Sequence, residues 1–395
     1  MTGFADRAPT GVSAWTAPPA PRLGIEEEFA LVVPRTLEPA DAAAAVRERL
    51  AAVSLPGSPR IEGEFLAHQL EYATPVCDDA RAAAPLLLRA RRELAAAAAE
   101  LGLGVAASGT LLHEAVSPEP ADGARYRRIA ADIRGLLDDH QVCGMHVHLG
   151  YDAPEHRVEA LNRLRGWIPL FTALAANSPF WRGGDTGFAS WRTIILRRWV
   201  AIGVPAPFAD PEDYERRRAE VLAAVGDDDA ALVTWTIRLS HHLPTIELRF
   251  GDAQLEVRDT VAVCGFVRLV AARMMRMPQP PPAIGSDVLD AAVWTAARDG
   301  HAARVPHPLG DGTAPVAALV EWALDWCGSP GSVARDVRSL LARGSGAERQ
   351  RRAYGSGGLA ALGAAVAAHR GPLRTSGLAP APQGVKPDAA EAAAE

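Results

Sequence analysis

Three consecutive carboxylates interrupt an otherwise apolar stretch at positions 24–29, which read Gly-Ile-Glu-Glu-Glu-Phe. The apolar flanks predict a strand, and strand side chains alternate between two faces, so Glu26 and Glu28 share one face while Glu27 lies on the other. Like charges about 7 Å apart on one face repel each other unless a cation lies between them. The segment therefore folds either as an edge strand with a solvated face or as one wall of a cation site.

A second acidic segment, at positions 61–74, also reads as a strand because Pro and Gly bound its apolar and β-branched residues. Its carboxylates Glu64 and Glu71 have opposite parity, so a straight strand cannot direct both toward one site. A bend or bulge between them, or a place for Glu64 on the preceding loop, would be needed.

Two more predicted strands carry polar side chains on one face. His146 alternates with His148 in one of them, and Glu247 with Arg249 in the other. The imidazoles either bind metal or are hydrogen-bonded core residues. The Glu–Arg pair is either structural or combines a metal ligand with a phosphate-binding guanidinium. One sheet that faces divalent ions explains all four segments together, and carboxylate-rich ligation favours Mg²⁺ or Mn²⁺ over zinc.

The element order alternates strands with helices, which is typical of an α+β enzyme. A disordered leader is predicted at 1–22, a single catalytic domain with a helical C-terminal part at 23–371, and a disordered tail at 372–395. After the break at Pro278–Pro282 only helices are predicted. The predicted strands are 23–33, 61–74, 141–151, 232–239 and 245–251, and the predicted helices are 78–101, 156–176 and 255–277.

A Gly/Ser/Trp/Arg-rich loop at 177–192 follows the second of these helices and ends in Arg192. Such loops often carry function, so Arg192 is a candidate clamp for a substrate carboxylate, with a plain surface connection as the alternative. Arg197 and Arg198, just beyond it, bind nucleotide or pair with acids; the sequence does not decide between these roles.

Bulk properties exclude several classes of protein. The net charge of −6, from 41 basic and 47 acidic residues, disfavours nucleic acid as a partner. The four cysteines form no C-x-x-C pair, which fits reduced thiols in a cytoplasmic enzyme. No uncharged apolar run reaches the roughly 20 residues that a membrane span needs. Neither a Walker A loop nor a G-x-S-x-G elbow is present, and the two G-x-G-x-x-A stretches lack the strand–loop–helix context of a dinucleotide fold.

Taken in order, five motifs resemble the bacterial carboxylate–amine ligases of the second glutamate–cysteine ligase type. The similarity runs from about Leu23 to about His369 and includes the late segment Ala342–Arg352. The motifs are G-I-E-E-E-F, L-E-Y-A-T-P-V-C, V-C-G-M-H-V-H-L-G, L-A-A-N-S-P-F-W-R-G-G-D-T-G-F-A-S-W-R-T and P-T-I-E-L-R-F-G-D.

The resemblance implies a glutamine-synthetase-like catalytic domain, in which a curved antiparallel sheet forms a funnel flanked by helices. It also implies ATP with Mg²⁺ (or Mn²⁺) as cofactors and small-molecule substrates, an acid such as glutamate and an amine such as cysteine or another amino compound. Arg249 and Arg198 would contact ATP, Arg192 would bind substrate, and Glu26, Glu28 and Arg249 would be catalytic. The implied metal or phosphate ligands are Glu26, Glu28, Glu64, Glu71, His146 and Glu247.

Two departures from the family pattern lie close to these positions. His68-Gln69 stands where a Gln-x-Gln-like stretch is more usual, and Phe250-Gly251-Asp252-Ala253-Gln254 differs from the commoner Val-Ala-Asp. Either can alter the choice of acid or amine. Two alternatives stay open at this point: a metal-dependent hydrolase that uses His146 and His148, and a non-catalytic ligand-binding relative. A homo-oligomer is also left open.

Overall fold

The computed structural model of the chain describes residues 16–53, 58–329 and 331–369. The predicted leader lies outside these residues up to position 15, and the predicted tail lies outside them entirely. Arg22, the last position of the predicted leader, is the first residue of a strand.

The strands are β1 (Arg22–Val32), β2 (Ile61–Gly63), β3 (Gln69–Ala73), β4 (Gly104–Ala106), β5 (Gly144–Gly150), β6 (Phe180–Trp181), β7 (Gly184–Asp185), β8 (Ile237–Leu239), β9 (Thr245–Asp252), β10 (Arg304–Pro306) and β11 (Thr313–Pro315). The main sheet is open and antiparallel, with the strand order β2-β3-β1-β5-β9-β8, and β4 also pairs with β1. Two short hairpins, β6-β7 and β10-β11, lie outside it.

Helices cover one face of the sheet, and no helix of the described residues is long and apolar enough to cross a bilayer. Helix α2 (Ala80–Glu100) begins where the sequence predicts, because the Asp79 side chain accepts 2.9 Å hydrogen bonds from the amides of Arg81 and Ala82. The helices are α1 (Ala43–Val53), α2 (Ala80–Glu100), α3 (Ala124–Ile133), α4 (Pro154–Leu164), α5 (Ile168–Leu174), α6 (Trp191–Leu196), α7 (Pro211–Val225), α8 (Val257–Met275), α9 (Ser286–Asp299), α10 (Val316–Trp326), α11 (Gly331–Arg343) and α12 (Gly346–Val366).

Strand β1 lies inside the sheet, and its apolar face packs against helices α2 and α8. Glu27 lies on this face and is fully buried. Arg91 of α2 donates to both of its carboxylate oxygens, at 2.9 and 2.6 Å, and the Thr260 hydroxyl of α8 donates at 2.5 Å. The chain therefore neutralises this buried carboxylate with its own guanidinium, which ties β1 to both helices.

Several predicted elements differ from the structure. The region after Pro282 is not purely helical, since it contains the β10-β11 hairpin, whose three-residue strands are too short to show alternation in the sequence. The single strand predicted at 61–74 is two strands joined by a turn. The predicted helix 156–176 is interrupted by a 3₁₀ turn at Arg165–Trp167, just before Pro169, whose missing N–H cannot extend a helical ladder. The strand predicted at 232–239 is regular only from Ile237.

Candidate active site

The polar face of the sheet brings together the side chains of strands β3, β1, β5 and β9. Side chains directly opposite each other in an antiparallel pair have Cβ atoms about 4.5–5.5 Å apart, close enough to share a ligand. Three such pairs line this face: Glu26 with His146, Glu28 with Glu71, and His148 with Glu247.

Glu26 lies between two imidazoles. Nδ1 of His146 donates to its Oε2 at 2.9 Å, and Nε2 of His148 lies 3.0 Å from its Oε1. Burial raises the pKa of Glu26, but the hydrogen bonds from His146 and His148 outweigh burial and hold the pKa well below its usual range. Glu26 is therefore a carboxylate at neutral pH.

His146 has an electron pair available on its second nitrogen. Because Nδ1 donates to Glu26, and because burial and the Arg249 charge lower the pKa of His146, the ring is neutral with Nε2 unprotonated. Nε2 is buried, has no hydrogen-bond partner among residues 16–53, 58–329 and 331–369, and lies 3.6 Å from Oε1 of Glu28. The other oxygen of Glu28 accepts a 2.6 Å hydrogen bond from the amide of Gly144. A lone pair beside a carboxylate oxygen is a donor set that fits a divalent cation.

Glu64 and Glu71, together with Glu26 and Glu28, form an acidic wall on this face. Glu64 lies in the turn between β2 and β3, which provides the change of direction that its parity requires. Burial, followed by the Glu28 charge, raises the pKa of Glu64 to about 8. Burial, followed by the Glu64 charge, raises the pKa of Glu71 well above its usual range. These carboxylates repel one another, and a bound cation would relieve that repulsion.

Two overlapping groups satisfy the spacing of a metal site, with their ligand atoms within 4.8 Å of one another. Both contain Glu26, and each combines two carboxylates with one imidazole. Oxygen donors predominate, which suits Mg²⁺ or Mn²⁺. The groups are Glu26, Glu71 and His146, and Glu26, His148 and Glu247.

Glu247 is held by two guanidinium groups. Arg238 donates to its two oxygens at 2.7 and 3.2 Å, and Nη1 of Arg249 donates to Oε1. Burial raises the pKa of Glu247, but the charges of Arg249 and Arg238 outweigh burial and hold it well below its usual range. Sequence reasoning missed Arg238, although the predicted β8-β9 hairpin placed it on a strand next to Glu247.

Arg192 lies against Gly144 at the start of strand β5 and is buried. Its Nη1 donates to the carbonyl of Arg249 at 3.4 Å, and its backbone amide donates to the Ser178 hydroxyl at 3.1 Å. A Cβ at position 144 would overlap Nη2 of Arg192, so glycine there lets the guanidinium pass close to the backbone. Arg192 reaches the cavity described below, whereas Arg198 pairs with Asp139 and is not among the residues that line it. The nucleotide role of Arg198 stays a prediction.

Asp252, which sequence reasoning noted only as part of the stretch Phe250–Gln254, anchors the loop that carries Arg192. This buried carboxylate accepts hydrogen bonds from the amide of Asn177 at 2.7 Å, the hydroxyl of Ser178 at 2.7 Å and the hydroxyl of Ser190 at 2.8 Å. The loop is therefore fixed to the end of β9 rather than lying free on the surface.

Two cavities open from this face and share Glu26, His148 and Leu243. The first has a volume of about 870 Å³ and is lined by the acidic wall together with Arg192 and Arg249. The second has a volume of about 670 Å³, is mostly apolar, and lies at the start of β1.

Comparison with known proteins shows which family the chain belongs to. A model of glutamate–cysteine ligase family 2 matches residues 22–358. The chain belongs to that family. The match contains the main sheet and every predicted site residue, and membership makes the chain an enzyme of the glutamate–cysteine ligase type.

Curated members of glutamate–cysteine ligase family 2 cover most of the chain. A protein of Nocardia farcinica (strain IFM 10152), provisionally named glutamate–cysteine ligase 2-1, is 36% identical in an alignment of 380 residues that covers 92% of this chain and 96% of that protein. A protein of Saccharopolyspora erythraea with the same provisional name is 39% identical in an alignment of 280 residues that covers 70% of this chain and 73% of that protein.

Solved structures share the fold of this family member at low sequence identity. The glutamate–cysteine ligase of Francisella tularensis, in complex with AMP, has a TM-score of 0.63 at 12% identity and covers 88% of both chains. A bifunctional glutathione synthetase from Pasteurella multocida has a TM-score of 0.57 at 15% identity; the match covers 87% of this chain but only 51%, about half, of that one. The glutamine-synthetase-like α+β fold expected from the sequence is confirmed.

Proposed function

We propose that this enzyme uses ATP and divalent cations to join the carboxylate of an amino acid, glutamate or a close relative, to an amine. One observation carries the proposal: Glu26 lies between His146 and His148 on a face rich in carboxylates, beside the permanently charged Arg249. Such a face suits a cation-bound polyphosphate, which needs both divalent ions and fixed guanidinium groups.

The two cavities suggest where each substrate binds. The polar cavity, with Arg192 and Arg249 in its wall, suits an amino-acid carboxylate and an amine. The mostly apolar cavity suits a purine base. Because the cavities share Glu26 and His148, the phosphates would lie at their junction, next to the carboxylates of the acidic wall.

The proposed reaction has two steps, and this placement is compatible with both. An oxygen of the acid substrate forms a bond to the terminal phosphorus of ATP as the bond to the departing ADP breaks. The amine nitrogen then bonds to the acyl carbon, the bond from that carbon to phosphate breaks, and the nitrogen loses a proton. Cations held by the carboxylates of this face would supply positive charge that offsets the phosphate charge.

The side chains of the protein position and stabilise these reactants. Glu26, Glu28, Glu64, Glu71, His146 and Glu247 would hold the cations. Arg249 would donate hydrogen bonds to the transferred phosphate, and Arg192 would hold the carboxylate of the amino acid. No nucleophilic side chain is required, because the substrate carboxylate is itself the nucleophile. Cysteine is one candidate amine, since relatives carry the glutamate–cysteine name.

A single assay tests the proposal. The protein is mixed with ATP, Mg²⁺ and pools of amino acids and amines, and the release of ADP and phosphate is followed. Substrate-dependent ADP release, with an amide product of matching mass, supports the ligase. Hydrolysis of substrate without ATP would instead indicate a metal-dependent hydrolase, and binding without turnover would indicate a non-catalytic relative; either result contradicts the proposal.

A further inference from the structure

The late segment 342–352 is part of the resemblance to the family, yet none of its residues lines either cavity. From Gly346 onward it forms the first turns of helix α12. This end of α12 packs against the start of the loop 177–192, since the amide of Ala347 donates to the carbonyl of Ala176 at 3.3 Å. We refer to residues 177–192 as the Arg192 loop, because they lead to that guanidinium.

Gln350 of α12 holds the first residue of the Arg192 loop. Its side chain is buried, and its Nε2 lies 2.8 Å from Oδ1 of Asn177, 2.9 Å from the carbonyl oxygen of Asn177 and 2.9 Å from the hydroxyl oxygen of Ser108. These three acceptors share the two N–H donors of the amide. The hydroxyl of Ser108 in turn donates to the carbonyl of Asn177 at 2.9 Å. Gln350 therefore holds Asn177 through both its backbone and its side chain.

Glycine at position 346 permits this close approach. A Cβ at that position would overlap the side-chain oxygen of Asn177, so another residue would force α12 and the loop apart. Farther along the loop, Arg351 donates to the two oxygens of Asp185 at 2.8 and 2.7 Å. Helix α12 therefore contacts the Arg192 loop at its first residue and again near its middle.

A short path of hydrogen bonds connects Asn177 with Arg192. The amide of Asn177 and the hydroxyl of Ser178 donate to the same oxygen of Asp252, both at 2.7 Å. The hydroxyl of Ser178 also accepts a 3.1 Å hydrogen bond from the amide of Arg192. A displacement of Asn177 would therefore pass through Ser178 to the backbone of Arg192.

We infer that Gln350 and Gly346 are positioning residues for Arg192, and this inference rests on the proposed role of Arg192 in binding the amino-acid substrate. They fix Asn177 from outside the cavity. Through Ser178 they set the place from which the guanidinium of Arg192 reaches the substrate carboxylate that does not react. Loss of either contact should weaken recognition of that one carboxylate and leave the binding of nucleotide unchanged.

The test compares L-glutamate with 4-aminobutyrate, which keeps the reactive carboxylate but lacks the one beside the amino group. Their binding to the full-length protein is measured by calorimetry with Mg²⁺ and a non-hydrolysable ATP analogue, whose own affinity is also measured. Gln350→Met removes the two N–H donors at nearly constant volume. We expect it to weaken glutamate binding about threefold to tenfold, the effect of lost hydrogen bonds, without changing the affinity for 4-aminobutyrate or the ATP analogue.

A second variant tests the same contact from the other side. Gly346→Ala adds a methyl group that displaces Asn177, so it should weaken glutamate binding at least as much as Gln350→Met. A matched control, Leu340→Ala, instead removes a buried side chain from α11. The control should lower the thermal midpoint but leave all three affinities unchanged.

The link to Arg192 is tested in a protein that already carries Arg192→Ala, where Gln350→Met should have no further effect on glutamate binding. Three results each overturn this inference alone: variants that bind glutamate as tightly as the unchanged protein, variants that lose glutamate and ATP-analogue binding equally, or an effect of Gln350→Met that persists without Arg192. A full-length protein that binds neither glutamate nor the ATP analogue overturns the proposed function as well.

Discussion

Adjacent glutamates on the two faces of strand β1 have opposite environments. Glu27 receives two hydrogen bonds from Arg91 and one from Thr260, so its charge is neutralised within the fold. Glu26 is hydrogen-bonded by His146, yet Glu26 and Glu28 also lie beside further carboxylates, and burial together with mutual repulsion raises the pKa of Glu64 and Glu71. A buried charge with a partner from its own chain supports structure, whereas carboxylates that repel one another indicate a ligand of opposite charge.

The largest effect should come from a substitution on the polar face of the sheet, and it should appear in the rate of ADP release. Glu26→Gln removes the carboxylate that both candidate metal groups share. We expect substrate-dependent ADP release to fall about a thousandfold, equivalent to about 4 kcal/mol of transition-state stabilisation. The circular dichroism spectrum and the thermal midpoint should stay close to those of the unchanged protein. Near-normal turnover would remove Glu26 from the site.

Glu27→Gln should show the converse behaviour. The substitution leaves the Arg91 guanidinium buried without its counter-charge, so the free energy of unfolding should fall by about 3 kcal/mol in urea titrations. Turnover per folded molecule should persist at low temperature. Combining Glu27→Met with Arg91→Met should destabilise less than the sum of the two single changes, and full additivity would argue against a coupled pair.

Added Mn²⁺ should further distinguish the role of Glu26 from that of Glu27. A ligand that binds only the folded state at one hundred times its Kd raises the free energy of unfolding by about 2.7 kcal/mol. The unchanged protein and Glu27→Gln should both gain this stabilisation in thermal or urea unfolding. Glu26→Gln should gain much less, and an equal gain in all three proteins would place the cation elsewhere.

A more gradual effect, spread over several pH units, is expected from pH. The folded-state pKa of Glu64 is raised to about 8 from an ordinary value of 4.5, so its protonated form stabilises the fold below pH 4.5 and that contribution is lost as the pH rises to about 8. Glu64→Gln resembles the protonated side chain and should become progressively more stable than the unchanged protein over this range, by at most about 1.4 kcal/mol per pH unit. Mg²⁺ should reduce the difference. A difference that does not vary with pH would contradict the raised pKa.

The polar face was largely predictable because strand alternation is local. Parity alone placed Glu26 with Glu28 and His146 with His148, and it showed that Glu64 needed a turn before it could join Glu71. Pairings that depend on the packing of distant elements could not be read from the sequence. Arg91, which neutralises Glu27 from 64 positions away, is one example.

The ends of helices and strands and the residues that line the cavities also could not be predicted from the sequence. Pro169 gave a local signal for the break between α4 and α5, but the strands of the β10-β11 hairpin are too short for any periodicity to appear. The sequence also gave no reason to place Thr16–Ala20 against a cavity, because an irregular segment acquires that position only from tertiary contacts.

The order in which the strands are synthesised affects the nascent chain. Glu26 pairs with His146, which lies 120 positions later, so β1 is synthesised well before its β5 neighbour exists. An unpaired apolar strand is prone to edge-to-edge aggregation, and charges within it oppose that association. The carboxylates of β1 would therefore protect the nascent chain long before any site can assemble around them.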